Sequence, residues 1–306
     1  MLRRLLLILA MAGFATPAGA AKPVFDGPLY DHPAVSSEGW SETREAVACN
    51  GSISVYNTSE PRIEVFLPKP QAATGTGVIL LPGGGLRLLG EGAESDAEID
   101  AMLAHGIAVV RLEYRTLQVP AGSIRRECGP PPASAPPIRF PKLEIRNGNA
   151  NPAPGNAKMH EILTLAVADA QECLRLMRRK AGEWKLDSRC IGMIGTSTGG
   201  GVAFGTLFAD APAEAKPDFL VSIFGPSLQD AVVPHPAPPI FLVTEADHGP
   251  VTDGLLAMYS IWKAAGARAE LHVYDVPVFS MTVDLWGSRL FDWMREHSFL
   301  PEEDHK

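Results

Sequence analysis

The stretch that decides the fold is Gly195-Thr196-Ser197-Thr198-Gly199, which follows the apolar run from Cys190 to Ile194 and leads into a segment of small residues. This pattern predicts a strand, a tight turn and the start of a helix. In a Gly-x-Ser-x-Gly turn the serine takes a strained backbone conformation, and the glycines let neighbouring elements pack where a β-carbon would clash. The sequence therefore predicts Ser197 at a sheet edge, with its hydroxyl available as a nucleophile. An ordinary glycine-rich turn is the alternative.

Upstream and downstream of this turn, short apolar runs alternate with helical patterns. Such alternation is typical of a mostly parallel sheet with helices on both faces. The predicted strands are residues 63–67, 78–81, 107–114, 190–194, 219–224, 240–244 and 270–274. The predicted helices are residues 93–105, 161–179 and 285–297. We predict the α/β class, in one domain over residues 21–306, because a chain of this length can bury one substantial core.

Residues 117–157 interrupt the alternation with a stretch rich in proline, glycine and asparagine. A connection of this length without regular structure is usually a functional lid or a disordered segment. It follows the predicted strand 107–114, and in parallel sheets the carboxyl ends of the strands lie at the edge where ligands bind. The sequence thus predicts an insertion on the ligand side, either a lid or a mobile loop.

The first twenty residues have the pattern of a removable export signal. Arg3 and Arg4 precede an apolar run, and Ala18-Gly19-Ala20 resembles a cleavage site. The apolar run is about ten residues long, well short of the roughly 20 that a membrane-spanning helix needs. We predict cleavage before Ala21, a periplasmic or secreted protein, and no membrane span.

The excess of acidic side chains bears on which partners the chain could bind. The chain has 27 basic and 35 acidic side chains, which argues against nucleic acid as a partner because phosphates attract basic surfaces.

The chain has an even number of cysteines, and disulfides persist in exported proteins. The four are Cys49, Cys128, Cys173 and Cys190. Cys173 and Cys190 would be close in the predicted fold, so they either pair or stay free. No spacing indicates a metal site, and we expect no cofactor.

A triple glycine, Gly83-Gly84-Gly85, follows the predicted strand 78–81. Such a segment lets backbone N–H groups approach a ligand closely, as an oxyanion hole requires. We predict that the N–H groups of Gly84, Gly85 and Thr198 form that hole. The spacing excludes both a dinucleotide fingerprint and a P-loop. A simple glycine-rich turn is the alternative.

The predicted strand 240–244 runs into Glu245-Ala246-Asp247-His248, which places a carboxylate on the ligand side. Asp247 follows Ser197 in the chain, as a triad acid does in one of the known chain orders. The acid orients an imidazole and stabilises its cation. The alternative for Asp247 is a solvated side chain in a loop.

With these motifs the chain resembles the α/β-hydrolases of the bacterial acetyl-esterase and acetylxylan-esterase type, which are related to dienelactone hydrolases. The matching segments within residues 60–300 are Pro82-Gly83-Gly84-Gly85, Glu91-Gly92, Glu113-Tyr114-Arg115, Asp169, the turn at Ser197, Pro238-Pro239 and Glu270-Leu271-His272-Val273-Tyr274. The resemblance implies the α/β-hydrolase fold and hydrolysis of small carboxylic esters, often acetyl groups on sugars, through an acyl-serine and without a cofactor. The expected partner is a small-molecule or glycan ester.

The chain departs from this family where the catalytic histidine is expected. After the last strand the family usually carries a Gly-Gly-His-Gly-Phe-like loop, and Phe279 stands at the position of that histidine. Phenylalanine cannot accept a proton, so another histidine would have to serve as the general base. The two candidates on the ligand side are His248, directly after the predicted acid, and His160, at the start of the helix after the insertion. Thr196 and Thr198 also replace a bulky residue and an alanine that are common in the family.

Two functional hypotheses remain open from the sequence. The first is a secreted serine hydrolase of small esters with an atypical or impaired triad of Ser197, Asp247 and His248; a peptidase is a variant of it. The second is a catalytically inactive protein of the same fold that binds a ligand, such as a glycan, under the insertion. Phe279 motivates the second, since it would add apolar surface to a pocket that is polar in the family.

Overall fold

The computed structural model describes residues 21–35, 37, 39–49, 51–126, 143–146, 149–152 and 156–302. Its strands are β1 (Phe25–Pro28), β2 (Glu45–Cys49), β3 (Ser52–Tyr56), β4 (Arg62–Phe66), β5 (Gly77–Leu81), β6 (Leu88–Gly92), β7 (Ala108–Glu113), β8 (Leu143–Arg146), β9 (Asn149–Pro152), β10 (Ile191–Thr196), β11 (Leu220–Ile223), β12 (Ile240–Glu245) and β13 (Ala269–Tyr274). Its helices are α1 (Ala93–Ala104), α2 (Ala157–Arg179), α3 (Ala181–Trp184), α4 (Thr198–Phe208), α5 (Pro250–Ala264) and α6 (Val283–Glu296).

Among these elements, eight strands form a central sheet in the order β1-β4-β7-β5-β10-β11-β12-β13. β4 runs antiparallel to both β1 and β7, and all the other neighbours pair in parallel. The parallel strands therefore end together at one side of the sheet, the carboxyl edge, where ligands bind in sheets of this kind. Two smaller antiparallel sheets consist of β2-β3-β6 and of β8-β9.

The strands of the central sheet are apolar on both faces because helices cover both faces. Along β5, Ile79 and Leu81 pack in the layer that contains α2, α4 and α5. Val78 and Leu80 pack in the opposite layer, which contains α1 and α6. The predicted α/β class, with helices on both sides of a mostly parallel sheet, is confirmed. All the predicted strands and helices are present, with ends shifted by a few residues.

Helix α2 begins earlier than its apolar periodicity predicts, at Ala157. The reason is a cap: the side chain of Asn156 accepts a hydrogen bond from the Met159 N–H at 3.3 Å. Capping of this kind satisfies one of the N–H groups that a helix start leaves unpaired. Arg178 and Arg179 lie in the last turn, where cations favour the helix dipole.

A buried ion pair connects the N-terminal segment to this helix. Arg115, which follows β7, contacts Asp169 of α2 at 2.6 Å, and both side chains are almost inaccessible to solvent. The Tyr30 hydroxyl donates to Asp169 at 2.9 Å, and Arg115 donates to the Val35 carbonyl at 2.6 Å. Through these two hydrogen bonds Tyr30 and Val35 connect the N-terminal segment to the buried pair.

The cysteines do not pair as Cys173 with Cys190, since both thiols are free. Cys173 lies in the apolar layer that contains α2, whereas the Cys190 thiol donates to the Phe299 carbonyl at 3.7 Å. Phe299 packs in the opposite layer, so the sheet separates the two thiols. Cys49 is disulfide-bonded, and the fourth cysteine, Cys128, lies outside the described residues.

The described parts of the insertion include a 3₁₀ turn, Ala121–Ser123, and the β8–β9 hairpin, whose backbone lies against α5. The remainder of the insertion, residues 127–142, 147–148 and 153–155, lies outside the described residues, as does the predicted export signal at 1–20. The lid and the cleavage site therefore stay predictions. In the part of the chain that the structure describes, no helix is long and apolar enough to cross a bilayer.

Candidate active site

Ser197 lies at the carboxyl edge, between the end of β10 and the start of α4. Its φ of 52° and ψ of −126° form a left-handed conformation that few residues other than glycine adopt. The chain can turn this tightly because Gly199 passes so close to β5 that a β-carbon would overlap the Leu81 carbonyl. The Ser197 N–H donates to the Ile223 carbonyl at 2.9 Å. Strand, turn and helix together hold the serine in one position.

Gly83 brings the Pro82–Gly85 loop against this turn. A β-carbon on Gly83 would lie 2.8 Å from both the Ser197 Cβ and the Thr196 carbonyl oxygen, closer than side chains pack. The loop and the serine turn are therefore in direct contact. The triple glycine in the sequence indicates a close approach at this point, but it does not reveal that the serine is what the loop approaches.

The three N–H groups predicted for the oxyanion hole differ in their bonding. The Gly85 N–H donates to Thr198 Oγ1 at 3.0 Å. The N–H groups of Gly84 and Thr198 donate to no acceptor within the described residues. Thr198 begins α4, so its N–H is one of those that a helix leaves unpaired. Gly84 and Thr198 are therefore available donors, whereas the Thr198 hydroxyl occupies the Gly85 donor.

The His248 imidazole lies at the same edge and is bonded to a buried carboxylate. Its Nδ1 is 2.8 Å from Oε2 of Glu245, the last residue of β12, whose side chain has no exposed surface. A carboxylate accepts, so we assign the proton to Nδ1, which leaves Nε2 as the basic nitrogen. A triad acid sets the tautomer of its general base in the same way.

Asp247, the predicted acid, is an exposed residue of the turn that follows β12. The structure pairs His248 with Glu245 instead. The physical reason is the length of the strand: β12 continues one residue beyond the predicted end at Thr244 and turns Glu245 into the protein. Glu245 was not predicted as a site residue. Its position between an apolar run and a histidine could have indicated a buried carboxylate beside that histidine.

Phe279 lies in the loop after β13, and its backbone contributes to the same site. Its N–H donates to Oε1 of Glu245 at 3.1 Å, so each oxygen of this carboxylate accepts one hydrogen bond. The ring meets the His248 imidazole edge-on, with centroids 5.0 Å apart and planes at 86°. The residue has a φ of 65° and is 65% exposed. A large apolar side chain thus covers one side of the imidazole.

Phe224 separates the serine turn from the histidine loop. It follows β11, the strand between β10 and β12, and its ring centroid is 5.7 Å from that of His248. Among the described residues, no hydrogen bond joins Ser197 Oγ to His248. The nucleophile and the imidazole therefore lie on the loops after β10 and β12, at one edge of the sheet, with the loop after β11 between them. Catalytic hydrogen bonds are often long in ligand-free enzymes.

His160, the other candidate base, is an exposed residue in the first turn of α2. His272 lies in β13 and bonds to Glu270 at 2.7 Å. His105 and His297 end α1 and α6. None of these imidazoles is bonded to Glu245. The described residues contain no group of three or more His, Cys, Asp or Glu side chains that could hold a metal ion.

No protein-family model matches the chain, and no curated protein matches it. Solved structures do match. An acetyl ester-xyloside bifunctional hydrolase from Caldicellulosiruptor lactoaceticus is 16% identical and aligns over 92% of this chain and 100% of its own, with a TM-score of 0.58. An alpha/beta hydrolase enzyme from a Medee basin deep-sea metagenome library is 14% identical over 84% of this chain and 98% of its own, with a TM-score of 0.53.

This protein has the α/β-hydrolase fold. The fold implied by the sequence resemblance is therefore confirmed. A further structure with this likeness is Thermogutta terrifontis esterase 2 phosphonylated by sarin, which is 16% identical over 80% of this chain and 92% of its own, with a TM-score of 0.53.

Besides the Pro82–Gly85 loop after β5, the site of this α/β-hydrolase fold has loops that follow β10, β12 and β13. Ser197 follows β10, Glu245 ends β12, and Phe279 lies after β13, in the loop where the resemblance predicts the histidine. The imidazole of this α/β-hydrolase-fold protein comes instead from the loop after β12. The candidate base and the carboxylate that orients it are therefore three residues apart, with Glu245 at the end of β12 and His248 in the loop that follows.

Proposed function

We propose that this protein is a serine carboxylic ester hydrolase, with Ser197 as nucleophile, His248 as general base and Glu245 as triad acid. The observation that carries the proposal is the bond of 2.8 Å between His248 Nδ1 and a fully buried carboxylate, at the same sheet edge as the strained serine. An imidazole needs such a partner to keep its proton on Nδ1 and its lone pair on Nε2.

In the proposed reaction the serine acts as nucleophile, the imidazole as base and two backbone N–H groups as oxyanion donors. Ser197 Oγ attacks the ester carbonyl while His248 Nε2 takes its proton. The N–H groups of Gly84 and Thr198 donate to the oxyanion that forms. The imidazolium then protonates the leaving alcohol, which leaves an acyl-serine. Water then attacks that acyl group with His248 again as base. This step releases the carboxylic acid and regenerates the free serine.

Because no hydrogen bond joins Ser197 Oγ to His248 in the described residues, we propose that a shift of the histidine loop or a bridging water connects them during the reaction. The loop between β12 and α5 is short, and His248 is its one imidazole. The imidazole is held by Glu245 on one nitrogen and flanked by Phe224 and Phe279. Substrate binding against these rings is the step that we propose brings Nε2 to the serine hydroxyl.

We propose small esters of acetyl type, including acetyl groups on carbohydrates, as substrates. The family resemblance implies this class, and the acetyl ester-xyloside hydrolase with the same fold supports it. We further propose that the protein is exported and cleaved before Ala21. In support, the Ala21 backbone nitrogen lies 3.3 Å from Asp100 Oδ1, where the α-ammonium of a cleaved chain would meet a carboxylate. N-terminal sequencing of the protein from its native host tests the cleavage, and an intact residue 20 would refute it.

A catalytically inactive ligand-binding protein is the second candidate. Two observations favour it: no hydrogen bond joins Ser197 Oγ to His248 within the described residues, and Phe279 presents an exposed aromatic ring beside the imidazole. An idle serine remains a poor nucleophile near neutral pH, so the two candidates differ in whether Ser197 reacts with an electrophile.

The deciding experiment combines hydrolysis of p-nitrophenyl acetate with labelling by a fluorophosphonate. The ester hydrolase hypothesis predicts stoichiometric labelling at Ser197 and turnover that Ser197→Ala lowers by at least about 10^3-fold. Ser227→Ala is the matched control, because Ser227 is buried and bonds to the backbone of Gln229, and it should retain both activities. If Ser197 is not labelled and Ser197→Ala shows the same turnover as the wild type, the ester hydrolase hypothesis is refuted and the ligand-binding candidate remains.

A further inference from the structure

The Pro82–Gly85 loop is held at both ends by side chains outside the triad. At its far end, the Gly85 N–H donates to Thr198 Oγ1 at 3.0 Å. At its near end, the Pro82 carbonyl accepts from the Tyr114 hydroxyl at 2.5 Å. Thr198 belongs to the serine turn, and Tyr114 directly follows β7, so two separate elements hold the loop that carries Gly84.

Tyr114 is suited to this role because its buried environment disfavours loss of the phenolic proton. Its side chain is completely buried. Burial raises the pKa of its phenol, while a hydrogen bond with the Thr198 side chain acts in the opposite direction. Thr198 and Tyr114 are therefore neighbours as well as partners of the same loop. Thr198 and Tyr114 thus bind opposite ends of the Pro82–Gly85 loop.

The loop needs an external anchor because its backbone is rich in glycine. Gly84 has a φ of 141° and Gly85 a φ of 68°. Glycine loses more conformational freedom on ordering than any other residue, so an unanchored triple glycine would sample many positions. An alanine at position 198, which is common in the family, has no hydroxyl and could not accept the Gly85 N–H.

We propose that Thr198 is a positioning residue, whose hydroxyl clamps the Pro82–Gly85 loop against the serine turn and so fixes the Gly84 N–H toward the oxyanion. The inference rests on the proposed ester hydrolysis for its effect on rate, but the clamp itself does not. An oxyanion donor helps only where it is already aimed at the charge that develops in the transition state. Thr198 thus acts in two ways, through its own N–H and by holding the loop.

The test compares Thr198→Val, which has nearly the same shape without the hydroxyl, with Thr198→Ser, which keeps the hydroxyl. We expect Thr198→Val to lower kcat for p-nitrophenyl acetate about 10-fold, less than the roughly 10^2 to 10^3 lost with a whole oxyanion donor. KM should stay within about twofold, and inhibition by phenylboronic acid, whose serine adduct carries the oxyanion charge, should weaken by the same factor as kcat. Thr198→Ser should retain the wild-type values within about threefold.

A second measurement tests the clamp independently of activity. Hydrogen exchange of the Gly85 amide in the full protein should be at least about 10-fold faster in Thr198→Val and near the wild-type rate in Thr198→Ser. Unchanged Gly85 exchange in Thr198→Val would overturn the clamp. A kcat that is unchanged or higher in Thr198→Val would overturn the positioning role, because the hydroxyl would then only occupy a donor. Failure of the proposed function gives a different result: hydrolysis that Ser197→Ala does not affect, with the exchange pattern intact.

Discussion

His248 Nδ1 lies 2.8 Å from Oε2 of Glu245, the residue that ends β12 three positions earlier, and the second oxygen of that carboxylate accepts the Phe279 N–H. The site loops after β12 and β13 are therefore joined through one buried carboxylate. The arrangement keeps an imidazole oriented even though the loop after β13 carries a phenylalanine. It makes Glu245 the residue on which both the geometry and the proposed chemistry depend.

Glu245→Gln should lower kcat for p-nitrophenyl acetate by about 10^3 to 10^4, with little change in KM. The amide keeps the shape of the side chain, but it can donate to Nδ1 and favour the wrong tautomer, and loss of the orienting acid in a known triad costs about 10^4. The matched control is Asp247→Asn, in the exposed turn, which should stay within about threefold. If Asp247→Asn lowered kcat more than Glu245→Gln does, Asp247 would be the triad acid instead.

His248→Ala should lower kcat by at least about 10^3, since a serine without its base is a poor nucleophile. Adding Phe279→His to that variant should restore at least about 10-fold. Position 279 already bonds to Glu245 through its N–H, and histidine tolerates its positive φ better than phenylalanine. The double variant His248→Ala/Phe279→Ala is the size control. Equal rates in the two double variants would mean that the loop after β13 cannot present an imidazole to the serine.

Asp169→Asn should lower the free energy of unfolding by about 3 to 5 kcal/mol, because it leaves the buried guanidinium of Arg115 without its counter-ion. Tyr30→Phe, which removes a single hydrogen bond to the same carboxylate, should cost less. Urea titration measures both. Asp187→Asn breaks an ion pair of comparable geometry with Arg189 at an exposed site and should leave the midpoint unchanged. Equal midpoints for Asp169→Asn and Asp187→Asn would contradict the structural role of the buried pair.

Stability should fall as the pH rises from about 4.5 to about 8, in part because of Glu98. Burial in α1, and secondarily the charge of Glu94, raises the pKa of Glu98 to about 8. The folded state then binds a proton that the unfolded state has lost, so each pH unit in this window removes up to about 1.4 kcal/mol. The whole penalty is present above pH 8 and is absent below the unfolded pKa.

Glu98→Gln should remove this part of the pH dependence. We expect it to be more stable than wild type at pH 9, with the difference shrinking toward pH 5, as measured by urea titration at each pH. Glu183→Gln, at an exposed site on α3, is the matched control and should run parallel to wild type. A constant offset between Glu98→Gln and wild type across the pH range would show that the carboxyl does not titrate in this window.

Local patterns in the sequence were sufficient for the elements of the central sheet, because doubly buried strands read as continuous apolar runs. The N-terminal strands were harder to find: β2 and β3 are half-buried and lie in a separate small sheet. Helix α4 contains several glycines, which have low helix propensity, and it forms because it packs against β10 and β5. Tertiary contacts outweigh propensity there.

The site was predicted only in part for a related reason. The turn at Ser197 is recognisable because five adjacent residues define it. The partner of His248 depends instead on whether β12 ends at Thr244 or at Glu245, and a shift of one residue decides which carboxylate is buried. The bond between Gly85 and Thr198 joins residues 113 positions apart, which no local pattern encodes.

The sequence by itself determined the alternation of strands and helices and the strained serine turn, because each of these depends on neighbouring residues. The tertiary structure decided which carboxylate orients His248, which N–H groups are available to an oxyanion, and that the sheet separates Cys173 from Cys190. Those outcomes depend on where side chains from distant segments meet in a buried environment, where only paired polar groups are stable.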